Sequence, residues 1–161
     1  SFGPVRALLY GGADYPKHAN DTIVTFAMIE TAEAMNNLEE IVQTPGLDGV
    51  YVGPADLTLG LTGRRYRTGF DRDEPEMLEA IHRIRTTAHT AGIRMGLHNG
   101  SASYAAKALS WGCDLVTISN DVRLLAQAAQ ESVAEARRLI TPDHSPTEGD
   151  GALQQTSQAS Y

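Results

Sequence analysis

Two carboxylates have the type and spacing for metal chemistry, because each follows an apolar run that is typical of a β-strand. Glu30 ends the run over residues 22–29, and Asp56 follows the run over residues 47–52 after a Gly-Pro-Ala link. If the two runs are neighbouring parallel strands, both acids project from the carboxyl edge of the sheet, where α/β proteins bind ligands. Two hard oxygen donors, with no cysteine or closely spaced histidine pair nearby, suit a hexacoordinate cation such as Mg²⁺ or Mn²⁺.

Each of these features also has an ordinary structural explanation. Glu30 could be an acidic residue that stabilises the dipole of the following helix. Asp56 could be the N-cap of a helix from Leu57 onward. The link at residues 53–55 either exposes backbone N–H groups to an anion or is a plain strand-to-helix turn. His98 closes a later strand on the same edge and could act as a base or as a substrate contact.

The elements that must position these residues form a β-α-β-α-β-α-β-α pattern. Apolar spacing and chain breakers predict strands over 22–29, 47–52, 93–98 and 115–118, and helices over 31–42, 57–61, 74–91, 101–112 and 121–140. The strands are short apolar runs, which predicts a parallel sheet covered on both faces. Residues 1–20 predict a loop or a broken helix. Four such units could be half of a (β/α)₈ barrel or an open doubly wound sheet, and periodicity does not separate the two.

Composition limits the classes of partner and compartment. The chain has 161 residues, enough for one domain with a real core, and its net charge of -7 argues against nucleic acid or an anionic membrane. Cys113 is the single cysteine, which fits a reducing cytoplasm. Without a signal peptide or an 18-residue apolar stretch, neither secretion nor membrane insertion is expected. Residues 141–161 are rich in Pro, Ser, Gly and Gln and predict a disordered tail after a domain over residues 1–140.

Several motifs resemble those of a known enzyme family. Over roughly residues 1–140 the chain is similar to the HpcH/HpaI family of metal-dependent aldolases for 4-hydroxy-2-oxo acids, which is related to the citrate lyase β subunit and to macrophomate synthase. The matching segments are Ala-Met-Ile-Glu-Thr-Ala-Glu-Ala at 27–34, Asn-Leu at 37–38, Pro-Gly-Leu-Asp-Gly-Val at 45–50, Gly-Pro-Ala-Asp-Leu at 53–57 and Ser-Asn-Asp at 119–121. The pairing of Ile-Glu-Thr with Gly-Pro-Ala-Asp at this spacing is the specific part of the resemblance.

The resemblance implies an α/β fold that is a partial TIM (β/α)₈ barrel, with four β/α units from its C-terminal half. It implies that Glu30 and Asp56 bind the metal, either Mg²⁺ or Mn²⁺, with Co²⁺ as a further option. The implied substrate contacts are Gly53, Pro54, Ala55, Asp56 and Met28. Met28 stands where the family often has Gln. The family's catalytic His and Arg come from the first half of the barrel, so no catalytic residue is assigned in this chain and the isolated chain is expected to be inactive.

The implied activity is that of a carbon-carbon lyase. Retro-aldol cleavage would convert a 4-hydroxy-2-oxo acid to pyruvate, or an analogue, and an aldehyde, through an enolate that the metal stabilises. One alternative is an acyl-CoA lyase of the citryl or malyl type. Another is a truncated, non-catalytic product that serves as an assembly or binding module. The implied partners are a small 2-oxo acid and further copies of the chain, since family members exchange a C-terminal helix, here residues 121–140.

Other polar residues are secondary candidates. At His98 the family more often has a small or apolar residue, so a catalytic role is not favoured. Asn120 and Asp121 are expected to cap the last helix or to meet a neighbouring subunit. His82 and His89 are expected on a helix surface by their spacing.

Overall fold

The computed structural model describes residues 5–140 as a chain of short strands and helices. In order, the elements are α1 (Val5–Gly11), α2 (Tyr15–Thr22), β1 (Phe26–Ile29), α3 (Ala32–Asn36), α4 (Leu38–Ile41), β2 (Gly49–Val52), α5 (Pro54–Thr62), α6 (Pro75–Thr90), β3 (Arg94–Asn99), α7 (Ala102–Ser110), β4 (Leu115–Ile118) and α8 (Asp121–Ile140). The predicted disordered tail at residues 141–161 lies outside the described residues, and a domain that ends at residue 140 stays a prediction. Among the described residues, no helix has the length and apolar character needed to cross a lipid bilayer.

The four strands form one parallel sheet in the order β1-β2-β3-β4. Ile29 pairs with Val52, and Val52 pairs with Leu97. Because each strand lies beside its neighbour in the chain, the sheet lacks the reversal of strand order that a doubly wound fold requires. The predicted α/β class with four β/α units, in the strand order of a partial barrel, is confirmed.

One face of the sheet packs against the helices through a continuous apolar core. Alternate strand residues are buried there, as expected for side chains that point to one side, and they are Ile29, Val50, Val52, Met95 and Leu97. The helices contribute buried side chains from α3 to α7, including Met35, Leu38, Leu57, Met77, Ile81, Ile84 and Ala108. Burying a side chain of this size contributes about 1.5–3 kcal/mol, so this face supplies the main stabilisation of the sheet.

The opposite face of the sheet differs from the expectation of apolar cover on both sides. Met28 is 51% exposed, and Tyr51, His98 and Thr117 are only partly buried. These side chains alternate with the core residues along the strands. Within residues 5–140 the second face therefore carries polar groups that contact one another instead of an apolar layer.

Several elements begin or end where the apolar pattern did not indicate. β1 starts at Phe26 rather than residue 22, since α2 extends to Thr22 and regular sheet pairing begins only at Phe26. The helix predicted over 31–42 is two helices, since the chain leaves helical geometry at Asn37, where φ is -103° and ψ is 14°. α5 starts at Pro54 rather than at residue 57. For residues 1–20 the sequence predicted either a loop or a broken helix, and the described part of this segment contains two short helices, α1 and α2.

The chain divides into two units, residues 1–120 and residues 121–161. The described part of the second unit is α8, which has the bounds predicted from the sequence. Its apolar residues recur at helical spacing along one stripe and are Val122, Leu125, Ala129, Val133, Ala136 and Ile140. On another side of the helix, Arg138 donates to Glu135 over 2.7 Å.

Candidate functional site

Glu30 lies at the carboxyl edge of the sheet, directly after β1. Since Ile29 pairs with Val52, the next position along each strand places Glu30 beside Gly53. The helix that follows has a different cap, because the Ala34 N–H group donates to Thr31 Oγ1 over 3.0 Å. Glu30 is half-buried and precedes this cap, so its carboxylate is not the N-cap of α3.

Asp56 is the third residue of α5 and is exposed to solvent. The helix begins at Pro54, and Gly53 is its N-cap without a side-chain hydrogen bond. The alternative in which Asp56 caps a helix from Leu57 is therefore wrong. Because the cap is a glycine, the N–H groups of the first turn receive no side-chain acceptor from it and remain able to bind an anion.

Glycine allows Glu30, Met28 and the start of α5 to come together. A methyl group on Gly53 would lie 2.6 Å from Glu30 Oε2 and 3.1 Å from Met28 Cε. A methyl group on Gly60 of α5 would lie 3.1 Å from the Glu30 carbonyl oxygen. A larger residue at position 53 would require the ends of the Glu30 and Met28 side chains to move, and one at position 60 would press on backbone. The close approach places α5, which carries Asp56, against the chain at Glu30.

The donor set of this edge fits a hard divalent cation. Neither Glu30 nor Asp56 forms a hydrogen bond or an ion pair with another side chain in residues 5–140. The same residues contain no group of three or more His, Cys, Asp and Glu side chains that could hold a metal ion. A pair of carboxylates leaves coordination positions for substrate and water, as Mg²⁺ usually requires in proteins. The roles of both acids as metal ligands stay a prediction.

The implied substrate contacts differ in what they could offer. Pro54 is buried, and its ring nitrogen carries no hydrogen to donate. Ala55 is half-buried at the helix start, and Ala55 and Asp56 both present backbone N–H groups. Met28 has a weakly accepting thioether and no donor, so it cannot replace the amide hydrogen bonds of a Gln. The substrate contacts over residues 53–56 and at Met28 likewise stay predictions.

A polar cluster that the sequence did not reveal lies on the open face of the sheet. His98 Nδ1 is 3.0 Å from the Tyr51 hydroxyl oxygen and 3.0 Å from Thr117 Oγ1. The two hydroxyl oxygens are 3.1 Å apart, and the Phe70 ring meets the His98 ring with 4.5 Å between centroids. The signal available in the sequence was position alone: Tyr51 and His98 alternate with buried strand neighbours, and Thr117 lies within the short apolar run of β4.

The remaining candidate residues pack against or hydrogen-bond to neighbouring parts of the fold. His82 packs its ring on Trp111 with 5.1 Å between centroids, and burial, with the nearby Arg85 charge, lowers its pKa. His89 Nε2 lies 2.8 Å from Asp114 Oδ2. Asp121 is the first residue of α8 and accepts a hydrogen bond from the adjacent Val122 N–H group over 2.9 Å, and its role as a helix cap stays a prediction.

Comparison with known proteins extends the match beyond these residues. The HpcH/HpaI aldolase/citrate lyase family matches residues 6–128 of the chain. A hydroxypyruvate/pyruvate aldolase from Rhizorhabdus wittichii is 42% identical over 139 residues, which cover 86% of this chain and 54% of that protein. A 4-hydroxy-2-oxo-heptane-1,7-dioate aldolase from Shigella sonnei is 35% identical over 123 residues, which cover 75% of this chain and 43% of that protein.

Structural comparison gives the same result. The crystal structure of an HpcH/HpaI aldolase/citrate lyase family protein from Burkholderia cenocepacia superposes with a TM-score of 0.68 and 32% identity, covering 85% of this chain and 52% of that one. The chain thus spans about half the length of the relatives that it matches. The family match, the sequence identity and the structural superposition agree: this chain belongs to the HpcH/HpaI aldolase/citrate lyase family.

Proposed function

We propose that the protein is a carbon-carbon lyase that depends on a divalent metal and cleaves a 4-hydroxy-2-oxo acid. The products would be pyruvate, or a close analogue, and an aldehyde. The observation that carries this proposal is the close packing of the Glu30 carboxylate over Gly53 at the start of the helix that bears Asp56. Similarity to proteins named as aldolases for hydroxypyruvate, pyruvate and 4-hydroxy-2-oxo-heptane-1,7-dioate supports the reaction class.

Each residue of the edge has a distinct role in this proposal. Glu30 and Asp56 hold the cation, which is Mg²⁺ or Mn²⁺, with Co²⁺ as a further option. When bound, such a cation stabilises the negative charge that develops on the 2-oxo oxygen as the bond between C3 and C4 breaks. The N–H groups at Ala55 and Asp56 orient the substrate carboxylate, and Met28 offers it a partly apolar surface.

The cleavage also requires a base for the proton of the 4-hydroxyl group. As that proton leaves, the C3–C4 bonding electrons move toward C2, the aldehyde departs, and C3 later takes up a proton to give the 2-oxo acid. The resemblance assigns the base His and the assisting Arg to a part of the barrel outside this chain. We therefore propose that the 161-residue chain binds the metal and a 2-oxo acid but does not turn over substrate by itself.

The test compares carboxylate variants in a turnover assay of the whole protein. Asp56→Ala and Glu30→Ala should each reduce pyruvate release, with Mg²⁺ or Mn²⁺ present, by about 100-fold or more, since each removes a ligand of the cation that stabilises the developing charge. Glu40→Ala removes an exposed carboxylate from α4 and serves as the matched control. Turnover by Asp56→Ala that equals turnover by Glu40→Ala would contradict the proposal.

Two further measurements separate the alternatives. A requirement for coenzyme A would favour an acyl-CoA lyase over a simple aldolase. Robust turnover by the 161-residue chain alone would refute the proposal that groups outside the chain are needed, while leaving the metal site in place.

A further inference from the structure

The cluster of Tyr51, His98 and Thr117 joins three neighbouring strands at one point of the open sheet face. Tyr51 belongs to β2 and Thr117 to β4, with β3 between them. The Tyr51 ring crosses β3 at Gly96, where an added methyl group would lie 2.6 Å from Tyr51 Cδ2. The cluster therefore depends on a glycine that lets one side chain lie over the neighbouring strand.

The hydrogen bonds of the cluster fix the orientation of the His98 ring. Both hydroxyl oxygens lie 3.0 Å from Nδ1, so that nitrogen is surrounded by two groups that can donate to it. In a neutral imidazole the unprotonated nitrogen is the strongest acceptor of the cluster and the phenol is its most acidic donor. We assign the Tyr51 hydroxyl as donor to Nδ1, which places the ring proton on Nε2.

The other ring nitrogen lacks a partner in the described part of the chain. Within residues 5–140 the hydrogen bonds of the His98 ring are formed by Nδ1 alone. The ring is half-buried, and Phe70 packs against it. The Nε2–H group of His98 is therefore a hydrogen-bond donor without an acceptor among residues 5–140, on a ring whose orientation is fixed.

His98 also shares a row of the sheet with the candidate metal ligand. Ile29, Val52 and Leu97 are paired across β1, β2 and β3, so the next position on each strand is Glu30, Gly53 and His98. Two strand spacings of about 4.8 Å place the backbones of Glu30 and His98 about 10 Å apart. A ligand whose 2-oxo acid end lies at Glu30 would extend toward His98 with its further carbons.

We propose that His98, held by Tyr51 and Thr117, is a specificity-determining residue whose Nε2–H donates to an oxygen on C4 of the substrate. This inference rests on the function proposed above. The donor would favour a 2-oxo acid that carries a 4-hydroxyl group over one of the same length without it. Tyr51 and Thr117 are positioning residues that act through the ring.

The test measures dissociation constants for two matched ligands in the presence of Mn²⁺, by calorimetry on the 161-residue chain. The ligands are 2-oxobutanoate and 4-hydroxy-2-oxobutanoate, which differ by the hydroxyl group. The unsubstituted chain should prefer the hydroxylated ligand. His98→Phe should weaken binding of that ligand about 5–10-fold, as expected for one lost neutral hydrogen bond, and should change 2-oxobutanoate binding less than about 2-fold.

Matched variants separate a contact from a general effect on folding. His82→Phe makes the same substitution at a ring that packs on Trp111 and should leave both constants unchanged. His98→Gln restores an N–H donor and should recover part of the preference. Tyr51→Phe removes only a hydroxyl and should lower the preference about 2–5-fold, while the nitrogen chemical shifts of His98 report a larger share of the tautomer with the proton on Nδ1.

Each outcome decides the inference. No preference in the unsubstituted chain, or equal changes for both ligands in His98→Phe, would overturn the role of His98 and leave the metal site intact. If 2-oxobutanoate shows no Mn²⁺-dependent binding to the unsubstituted chain, the proposed function fails and this inference fails with it.

Discussion

The Glu30 carboxylate lies against Gly53, which has no side chain to displace it. Gly53 has ordinary backbone angles, with φ of -93° and ψ of 91°, so its conformation does not require glycine. The requirement is steric, because a methyl group there would lie 2.6 Å from Glu30 Oε2. A side chain at residue 53 would therefore force the carboxylate to move from this position.

Gly53→Ala should consequently weaken metal binding without unfolding the chain. The added methyl group displaces the Glu30 carboxylate. We expect the Mn²⁺ dissociation constant to rise about 10-fold or more, as when a residue that orients a metal-binding side chain is changed. Electron paramagnetic resonance of free Mn²⁺ measures the constant, and circular dichroism checks the fold. Gly100→Ala is the control, since its methyl group would meet neighbours at an ordinary 3.5 Å. Equal Mn²⁺ affinity in the two variants would contradict the steric explanation.

The residues of the candidate edge were predictable from the sequence because their signals are local. Glu30 and Asp56 follow apolar runs within a few positions, and the Gly-Pro-Ala link marks a strand end. The contact between Tyr51 and His98 spans 47 positions, and the contact between Tyr51 and Thr117 spans 66. Such contacts depend on strand register, which a single sequence does not reveal.

At the scale of elements, Asp114 joins α6, β3 and the start of β4 at the amino edge of the sheet. Its carboxylate accepts hydrogen bonds from the Met95 N–H group over 3.0 Å, from His89 over 2.8 Å and from Arg94 over 2.9 Å. Partial burial alone would raise the pKa of Asp114, but the hydrogen bonds from these three donors outweigh it, so the pKa is lowered from 3.8.

This cluster predicts how stability depends on pH. A carboxyl group with a lowered pKa in the folded state stabilises the fold fully above its unfolded-state pKa and loses that contribution as pH falls through the folded-state value. The free energy of unfolding should therefore fall below about pH 4. Asp114→Asn should cost about 1–3 kcal/mol at pH 7 and should lessen the fall in acid.

Urea unfolding between about pH 3 and pH 7 measures both effects. Asp21→Asn, at an exposed position of α2, is the control for loss of a carboxylate. If the two variants have the same stability at pH 7, the hydrogen bonds of Asp114 do not support the fold as described.

Element boundaries show where local patterns stop being informative. Ile23 and Val24 are apolar but lie before β1 and are 54% and 66% exposed. Sheet pairing decides where the strand begins, since the Thr25 N–H group donates to Asp48 Oδ2 over 2.7 Å and regular pairing starts at Phe26. The long amphipathic helix α6, by contrast, agrees with its prediction to within a residue because four turns of apolar spacing define it.

At the scale of the whole molecule, the sheet has two unpaired edges within residues 5–140. β1 and β4 each pair with a single neighbour, and open strand edges favour association with other chains. Periodicity could not distinguish a partial barrel from a doubly wound sheet, because both have the same alternation of elements. The strand order in the structure distinguishes the two folds. From the sequence, only the motif resemblance indicated the partial barrel.

We predict that the chain self-associates and that α8 takes part. Size-exclusion chromatography with light scattering should show a dimer or a larger species. Leu125→Lys lies in the apolar stripe of α8 and should shift the mass toward the monomer, because a charge is costly in an apolar contact. Gln127→Lys adds the same charge outside the stripe and should not. A stable, well-folded monomer in the unsubstituted chain would contradict the prediction.

The hydrogen bonds that stabilise the fold and the candidate site lie at opposite ends of the sheet, which affects how readily the site can be altered by mutation. The hydrogen bonds of Asp114 gather at one end, while Glu30, Asp56 and His98 stand at the other. Laboratory evolution could diversify the latter end broadly while most library members still fold. New substrate preferences should accordingly be reachable through few mutational steps, with little need for compensating changes elsewhere.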